Sequence, residues 1–385
     1  MAENKEKKVL NVPNLRFPEF EGEWEEHYLS DYLDFKNGLN PKPERFGKGI
    51  KFISVMDILN NAVITNDCIR ASVDVSEEEL LSFCVENGDI LFQRSSETLE
   101  DVGRANVYMD NKPAVFGGFV IRGKKKAEYD PLCFRYLLAS PFARKKIIPM
   151  GAGAQHFNIG QEGLNKVKLH FALLDEQKKI ARLLSLLDER IATQNKIIED
   201  LQSLIKGIRA RLTQQVGGDF VYLSEIAQIY QPQTISLSEF TKEGYLVYGA
   251  NGVIGKYREY NHQTEQICIT CRGNTCGVVN YTQPKSWITG NAMVINTDDF
   301  KEKVFKRYLY HYLSAYNFNR IISGSGQPQI VRSPLEKLRI ALPTMQQQKN
   351  IATFLDKLQN QIEINNNILH LYLQQKQYLF RQMFI

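Results

Sequence analysis

The chain has 385 residues, 43% of them hydrophobic and 24% charged, and a formal net charge of +5. That length provides for two or three domains with cores of their own, and the composition is that of an ordinary globular protein. No apolar run is long enough to span a bilayer and no secretory leader is visible, so a cytoplasmic protein without membrane attachment is expected; the mild basic excess permits a polyanionic partner without requiring one.

Residues 1–23 form an N-terminal segment, charged over its first eight positions. Residues 24–174 contain short apolar or alternating runs at 50–55, 88–92 and 114–121, broken by Gly, Asn, Asp and Pro, which predicts a first compact domain of mixed α/β character. From 175 to 216 the apolar positions Ile180, Leu184, Leu187, Ile191, Ile198 and Leu201 recur at spacings of three, four and seven, joined by Leu183, Leu204, Ile208 and Leu212. One helix with one apolar stripe is predicted, about 60 Å long at 1.5 Å per residue, and Gly217-Gly218 stops it. Residues 217–342 repeat the character of the first domain, with runs at 266–270 and 292–295. Residues 343–385 form a second long helix after Pro343, striped by Ile351, Phe354, Leu355, Leu358, Ile362, Leu369, Tyr372 and Leu379.

The two helices are copies. Residues 164–198 align without a gap on 335–369 at an offset of 171, and eleven of thirty-five positions are identical, among them Gln177, Ile180, Leu184, Leu187 and Ile191. A stripe that long needs a cover, and the other copy is the cheapest one, giving a two-stranded coiled coil within the chain; pairing between two chains is the competing arrangement. The domains are more distant copies. Tyr28-Leu-Ser matches Tyr222-Leu-Ser, Gly151-Ala-Gly matches Gly324-Ser-Gly, and Val120-Ile121 is set against Val294-Ile295, with offsets between 171 and 194. The expected fold is α+β: two mixed α/β domains, two long spacer helices and an internal pseudo-two-fold repeat.

Signatures of catalysis are missing from the sequence. It has no phosphate-binding Gly-x-x-x-x-Gly-Lys-Ser/Thr loop, no dinucleotide fingerprint, no nucleophile elbow and no metal-ligand spacing among its six histidines. Cys268, Cys271 and Cys276 suggest a metal cluster at first sight. The run 266–271 reads as a strand, however, and residues three apart on a strand point to opposite faces, so small buried hydrophobes are expected.

What the domains do offer is loops that mix Gly with cationic, amide and hydroxyl side chains, suited to phosphates and base edges. In the first domain these are Arg94, Ser95, Ser96 and Arg104, then Gln155, His156 and Asn158 after Gly151-Ala-Gly153; in the second they are Asn251 and Gly252, Arg272, Asn274 and Thr275, then Gln327 and Gln329. Each has a plainer reading: a tight hairpin for Asn251-Gly252, a hinge for the Gly-x-Gly loops, and solvated surface for any lone cation.

The stretch from Gly151-Ala-Gly through Gln155, Asn158-Ile159 and Glu176-Gln-Lys-Lys-Ile180, with its second copy from Gly324 through Pro343 to Ile351, resembles the junction of recognition domain and spacer helix in the specificity subunit of Type I restriction–modification systems. The opening Val12-Pro-Asn-Leu-Arg-Phe-Pro-Glu-Phe and the motif Tyr248-Gly-Ala-Asn-Gly-Val-Ile-Gly255 are similar to that family as well. Ala172 and Gln347 depart from the family's usual Pro and Glu at helix entry. The resemblance implies that each domain is a target recognition domain reading one half of a split double-stranded DNA site, and that the helices lie antiparallel and set the gap. It also implies a subunit without catalysis that binds no cofactor itself. It would hold two methyltransferase subunits, which use S-adenosylmethionine on adenine N6, and restriction subunits, which use ATP and Mg, can join. The alternative is a coiled-coil adaptor with two protein-binding domains; steep salt dependence distinguishes DNA binding from it.

Overall fold

The computed structural model describes residues 11–215, 217–249, 252–324 and 326–385. It divides into two compact units, Met1–Thr193 with Leu369–Ile385 and Gln194–Ile368, so the division runs through both long helices.

The first unit is built on a four-stranded antiparallel sheet in the order Leu33–Asn37, Val120–Lys125, Ile90–Gln93, Ala105–Val107. Strand Ile90–Gln93 is buried along its whole length because its alternate side chains enter two cores. Ile90 and Phe92 face the cluster around Phe134 and Leu137, whereas Leu91 faces a second cluster with Ile53, Tyr108 and Phe116. The covering helix Pro131–Ala139 starts where its sequence says it should: Asp130 caps it by accepting from the Cys133 amide at 2.8 Å, and Pro131 occupies the first turn. A second four-stranded sheet pairs Phe46–Ile53 in parallel with Ala114–Phe116.

The second unit repeats the plan. Its four-stranded sheet runs Gln228–Tyr230, Ala292–Asn296, Ile267–Thr270, Val279–Tyr281. Ile267 and Ile269 enter one core, and Cys268 enters another with Tyr248 and Ile288. Cys271 lies in the first of these, so the two cysteines do occupy opposite sides. A three-stranded sheet holds Gly252–Tyr257, Tyr245–Gly249 and Trp287–Ile288.

Strand pairing aligns the two copies and corrects one match. Gln93 and Thr270 are equivalent, since each carbonyl accepts from a glycine amide, Gly103 and Gly277, at 2.9 Å. Val120 lies opposite Gln93 and Ala292 lies opposite Thr270. Val120-Ile121 therefore corresponds to Ala292-Met293, and not to Val294-Ile295. Identical dipeptides two residues apart keep the same strand face, so the sequence pattern does not register the slip.

The long helices span Leu174–Gln215 and Met345–Gln382. Within the first unit, Ile180, Leu184 and Leu187 of the central helix share a core with Leu379, Met383 and Phe384, and Lys376 reaches Asp188. Within the second unit, Gln194 donates to the Asn365 carbonyl at 3.2 Å, and Ile205 and Ile362 line one cavity. In each unit the two helix segments run antiparallel. Of the predicted stripe, Ile198, Leu355 and Ile362 are also buried, and Ile191, Leu201, Ile351, Leu358, Leu369 and Tyr372 are half-buried. Leu204 and Phe354 are the exceptions, at 48% and 52% exposed; Ile205 and Ala352 turn inward in their stead.

Both helix entries use the same device. The buried Gln177 amide donates to Ala172 O at 2.8 Å and accepts from the Asp130 amide at 3.0 Å; Gln348 does the same with Pro343 O and the Phe305 amide. The Glu176/Gln347 difference has a local cause. Glu176 is buried and takes a bidentate pair from Arg16 plus the Trp24 indole, fastening the N-terminal segment. Gln347 instead accepts from the Thr344 amide. Among the described residues no helix is long and apolar enough to cross a membrane.

Candidate nucleic-acid interface

In the first unit, the chain leaves strand Ile90–Gln93 and Ser95–Ser96 pairs antiparallel with Phe157–Asn158. Ser95 Oγ donates to Asn158 Oδ1, while Asn158 Nδ2 donates to His156 O at 3.3 Å. The Asn158 main chain closes a second pair with Ala152, 2.9 Å in both directions. The loop folds back on Gly153, whose φ is +145° and whose missing Cβ would lie 2.0 Å from His156 O. Only glycine fits there. Gln155 and His156 are left exposed at the tip.

The second unit builds the same corner from different residues. Arg272 bridges Gln329, Gln329 bridges Ser323, and the Gly273 amide donates to Pro328 O at 3.0 Å. Gly324 (φ +91°) takes the place of Gly153, with a Cβ position 2.5 Å from Gln327 O. The backbone amides that follow, Ile159 and Ile330, donate to Arg94 O and Cys271 O. Ser95–Asn158 and Arg272–Gln329 are therefore one site drawn twice. Arg272, Asn274, Gln327 and Gln329 are exposed, and Thr275 is half-buried. Arg272 and Gln329 border a cleft of about 400 Å³, joined there by Arg332 and Tyr230.

The model of the Type I restriction modification DNA specificity domain matches residues 21–203 and again residues 216–371. The chain belongs to the Type I restriction–modification DNA specificity family.

Relatives and folds agree with that assignment. A Methanocaldococcus jannaschii protein bearing the name of the MjaX type I restriction enzyme specificity subunit is 26% identical over 93% of this chain and 92% of its own. The Escherichia coli EcoprrI specificity subunit is 30% identical over 37% of this chain and 36% of its own. The S subunit of a Type I system from M. genitalium has the same fold, with a TM-score of 0.66 and 16% identity over 97% of this chain and 99% of that one. A second solved chain of a type I system gives 0.56 and 15%, covering 93% of this chain and 96% of that one. As a specificity subunit this chain carries two recognition domains and no catalysis of its own.

Not every predicted residue of this specificity subunit falls at the repeated corner. Arg94 is half-buried and donates from Nη1 to Gly118 O at 3.2 Å. Ser96 is buried, and its Oγ accepts from the Thr98 amide at 3.2 Å. Both hold the corner's shape. Arg104 is exposed and paired with Asp101 at 2.6 Å, beside a different cavity. Gly252 closes the strand pair with Gly249 at φ +95°, a hairpin position; Asn251 lies outside the described residues. Two neighbours of the corner carried no signal in the loop pattern. Phe119, 69% exposed, follows Gly117-Gly118 and accepts the Arg94 amide through its carbonyl. Its counterpart in the second unit is Asn291, which accepts the Cys271 amide. The Gly117-Gly118 pair was the available clue, since a Cβ at Gly118 would strike Asn40 Oδ1 at 1.9 Å.

Proposed function

We propose that the repeated corner is the reading surface of each recognition domain, and that the two corners read the two halves of a split double-stranded DNA target. The observation that carries this is the duplication of backbone with divergence of side chain. The same pairing, the same left-handed glycine and the same strand exit present Ser95, Gln155, His156 and Asn158 in one unit and Arg272, Asn274, Gln327 and Gln329 in the other. Arg and Gln make bidentate pairs with guanine and adenine, and serine and asparagine are adaptable polar contacts. The paired helices are then the spacer that sets the gap between the half-sites.

The partners follow from the family and from the helices. Outside the helix–helix seam, the first unit leaves Leu186, Leu371 and Tyr378 exposed, and the second leaves Ile197, Leu204, Phe354 and Ile364 exposed. Apolar side chains on two outer faces suit two methyltransferase subunits, which bring S-adenosylmethionine; restriction subunits bring ATP and Mg.

Methylation mapping of a host with wild-type or variant chains tests the reading. Arg272→Ala and Gln329→Ala are expected to relax bases in one half of the target only, and Gln155→Ala in the other half only. Variants that lower methylation equally at both halves, with unchanged specificity, would remove the corners from base reading.

A further inference from the structure

A second polar site lies in the first unit, apart from the reading corner. Arg104, Arg135 and Arg144 line a cavity of about 410 Å³ between the strand Ala105–Val107 and the helices Pro131–Ala139 and Pro141–Ile147. Arg144 grips the backbone with one nitrogen, Nη2 donating to Glu100 O at 2.8 Å and Val102 O at 2.6 Å, while its Nη1 is shut from solvent without a hydrogen-bond partner. Burial, with Arg104 adding to it, pulls the Arg144 pKa down to about 10 against the opposing pull of Asp101.

Among the described residues no neighbouring carboxylate hydrogen-bonds Arg144, whose partners are backbone carbonyls. Asp101 pairs with Arg104. Asp188 stands 4.0 Å from Arg135 and is engaged by Lys376 and by the Tyr136 hydroxyl. Glu100, on the cavity wall, meets Arg144 through its carbonyl. In the second unit a satisfied arginine looks different: Arg307, on the helix Lys306–Ala315, closes on Asp356 with both Nε and Nη2. Where Gly103 and Gly277 correspond, Val278 takes the place of Arg104.

We infer that this cavity seats a phosphodiester of the DNA backbone flanking the half-site read by the first unit. The inference rests on the DNA reading proposed above. Three guanidiniums on one cavity wall, Arg104 exposed and Arg135 and Arg144 half-buried, suit a phosphate oxygen. The seat and the reading loop share one support: the turn Leu99–Asp101 and Val102 are held from one side by Arg144, and from the other they pack on Gly151, whose Cβ position is 2.6 Å from Val102 Cγ1. A phosphate held on that turn fixes the register of the bases beyond it.

The test uses the full chain with its methyltransferase partners, a duplex carrying the mapped target and a scrambled duplex, titrated from low to moderate KCl. Arg104→Gln and Arg144→Gln are expected to weaken both duplexes by the same factor and to flatten the slope of log affinity against log salt by about 0.9, the value for one phosphate. The double variant should flatten it no further, because both arginines serve one group. Thermal melts establish that the variants are folded; Arg144→Lys, which keeps charge but loses the fork, should retain the slope and lose affinity. An unchanged slope in folded variants would overturn the seat, as would a loss confined to the target duplex, or lost methyltransferase assembly with intact DNA binding. If the wild-type complex showed no salt-dependent DNA binding, the DNA reading itself would fall, which is a separate result.

Discussion

At the residue scale, the corners depend on two backbone conformations and the second unit on one buried histidine. Gly153→Ala places a methyl against His156 O and forces a glycine-only φ; a local penalty of about 1–3 kcal/mol is expected. Methylation mapping should then show the first half-site blurred and the second intact. His311 is buried between Arg209, which donates to Nδ1 at 2.9 Å, and Asp356, which accepts from Nε2 at 2.8 Å. Burial outweighs the attraction of Asp356 and lowers its pKa to about 4; His262 is lowered to about 4 as well, again by burial. Because the folded values lie below the unfolded one, the unfolded chain binds protons first on acidification. Stability is complete above pH ~6.5 and falls as pH drops toward 4, by up to ~1.4 kcal/mol per pH unit for each histidine. Denaturant melts at pH 7 and 5 measure this, and His311→Gln should remove about half of the difference. A wild-type midpoint that does not move between these pH values would show that these imidazoles are charged in the fold.

At the scale of elements, the helix entries and the seam carry distinct loads. Arg16→Ala leaves the Glu176 carboxylate buried without its cation, and a loss of about 3–5 kcal/mol is expected. Adding Glu176→Gln, the residue the second copy uses, should restore much of that, read as a recovered melting temperature. Leu184 is fully buried in the seam, so Leu184→Ala should cost about 2–5 kcal/mol. Leu204 is 48% exposed, so Leu204→Asp should leave the isolated chain within about 0.5 kcal/mol of wild type while weakening capture of a methyltransferase subunit. A Leu204 variant as unstable as the Leu184 variant would return it to the seam. The carboxylate under the covering helix is also reused with a shift. Tyr136 donates to Asp188, and His311, which the Gln177 and Gln348 contacts put in its place, donates to Asp356; Asp356 aligns with Ser185, three residues short of Asp188. The carboxylate has moved about one helical turn between copies, which keeps it on the same helix face.

For the whole molecule, the repeat shows itself in one residue pair. Gln194 and Asn365, hydrogen-bonded across the helix pair of the second unit, are 171 residues apart, the offset of the repeat itself, so each residue meets its own counterpart. A fragment ending at Gly217 keeps one globule and one helix and should self-associate, with Gln194 meeting Gln194 of a second copy. Sedimentation would show a dimer, and with methyltransferase its methylation site should be palindromic; a strict monomer under assembly conditions would count against the seam as an autonomous contact.

The local facts were legible in the chain because they are periodic or positional. The helices announced themselves by spacing, their kinship by an ungapped offset, and the glycine loops by residue type. Ser95, Asn158, Arg272 and Gln329 were all named in the sequence, but that they form one corner drawn twice was not visible there, since the pairing joins segments about sixty residues apart across differing insertions. Tertiary structure also decided which candidates are scaffold. Arg94 and Ser96 look outward by composition and are spent on neighbouring backbone. Whether a polar side chain reads a partner or satisfies its own fold depends on which donors and acceptors the packing brings within reach, and that is a property of three dimensions.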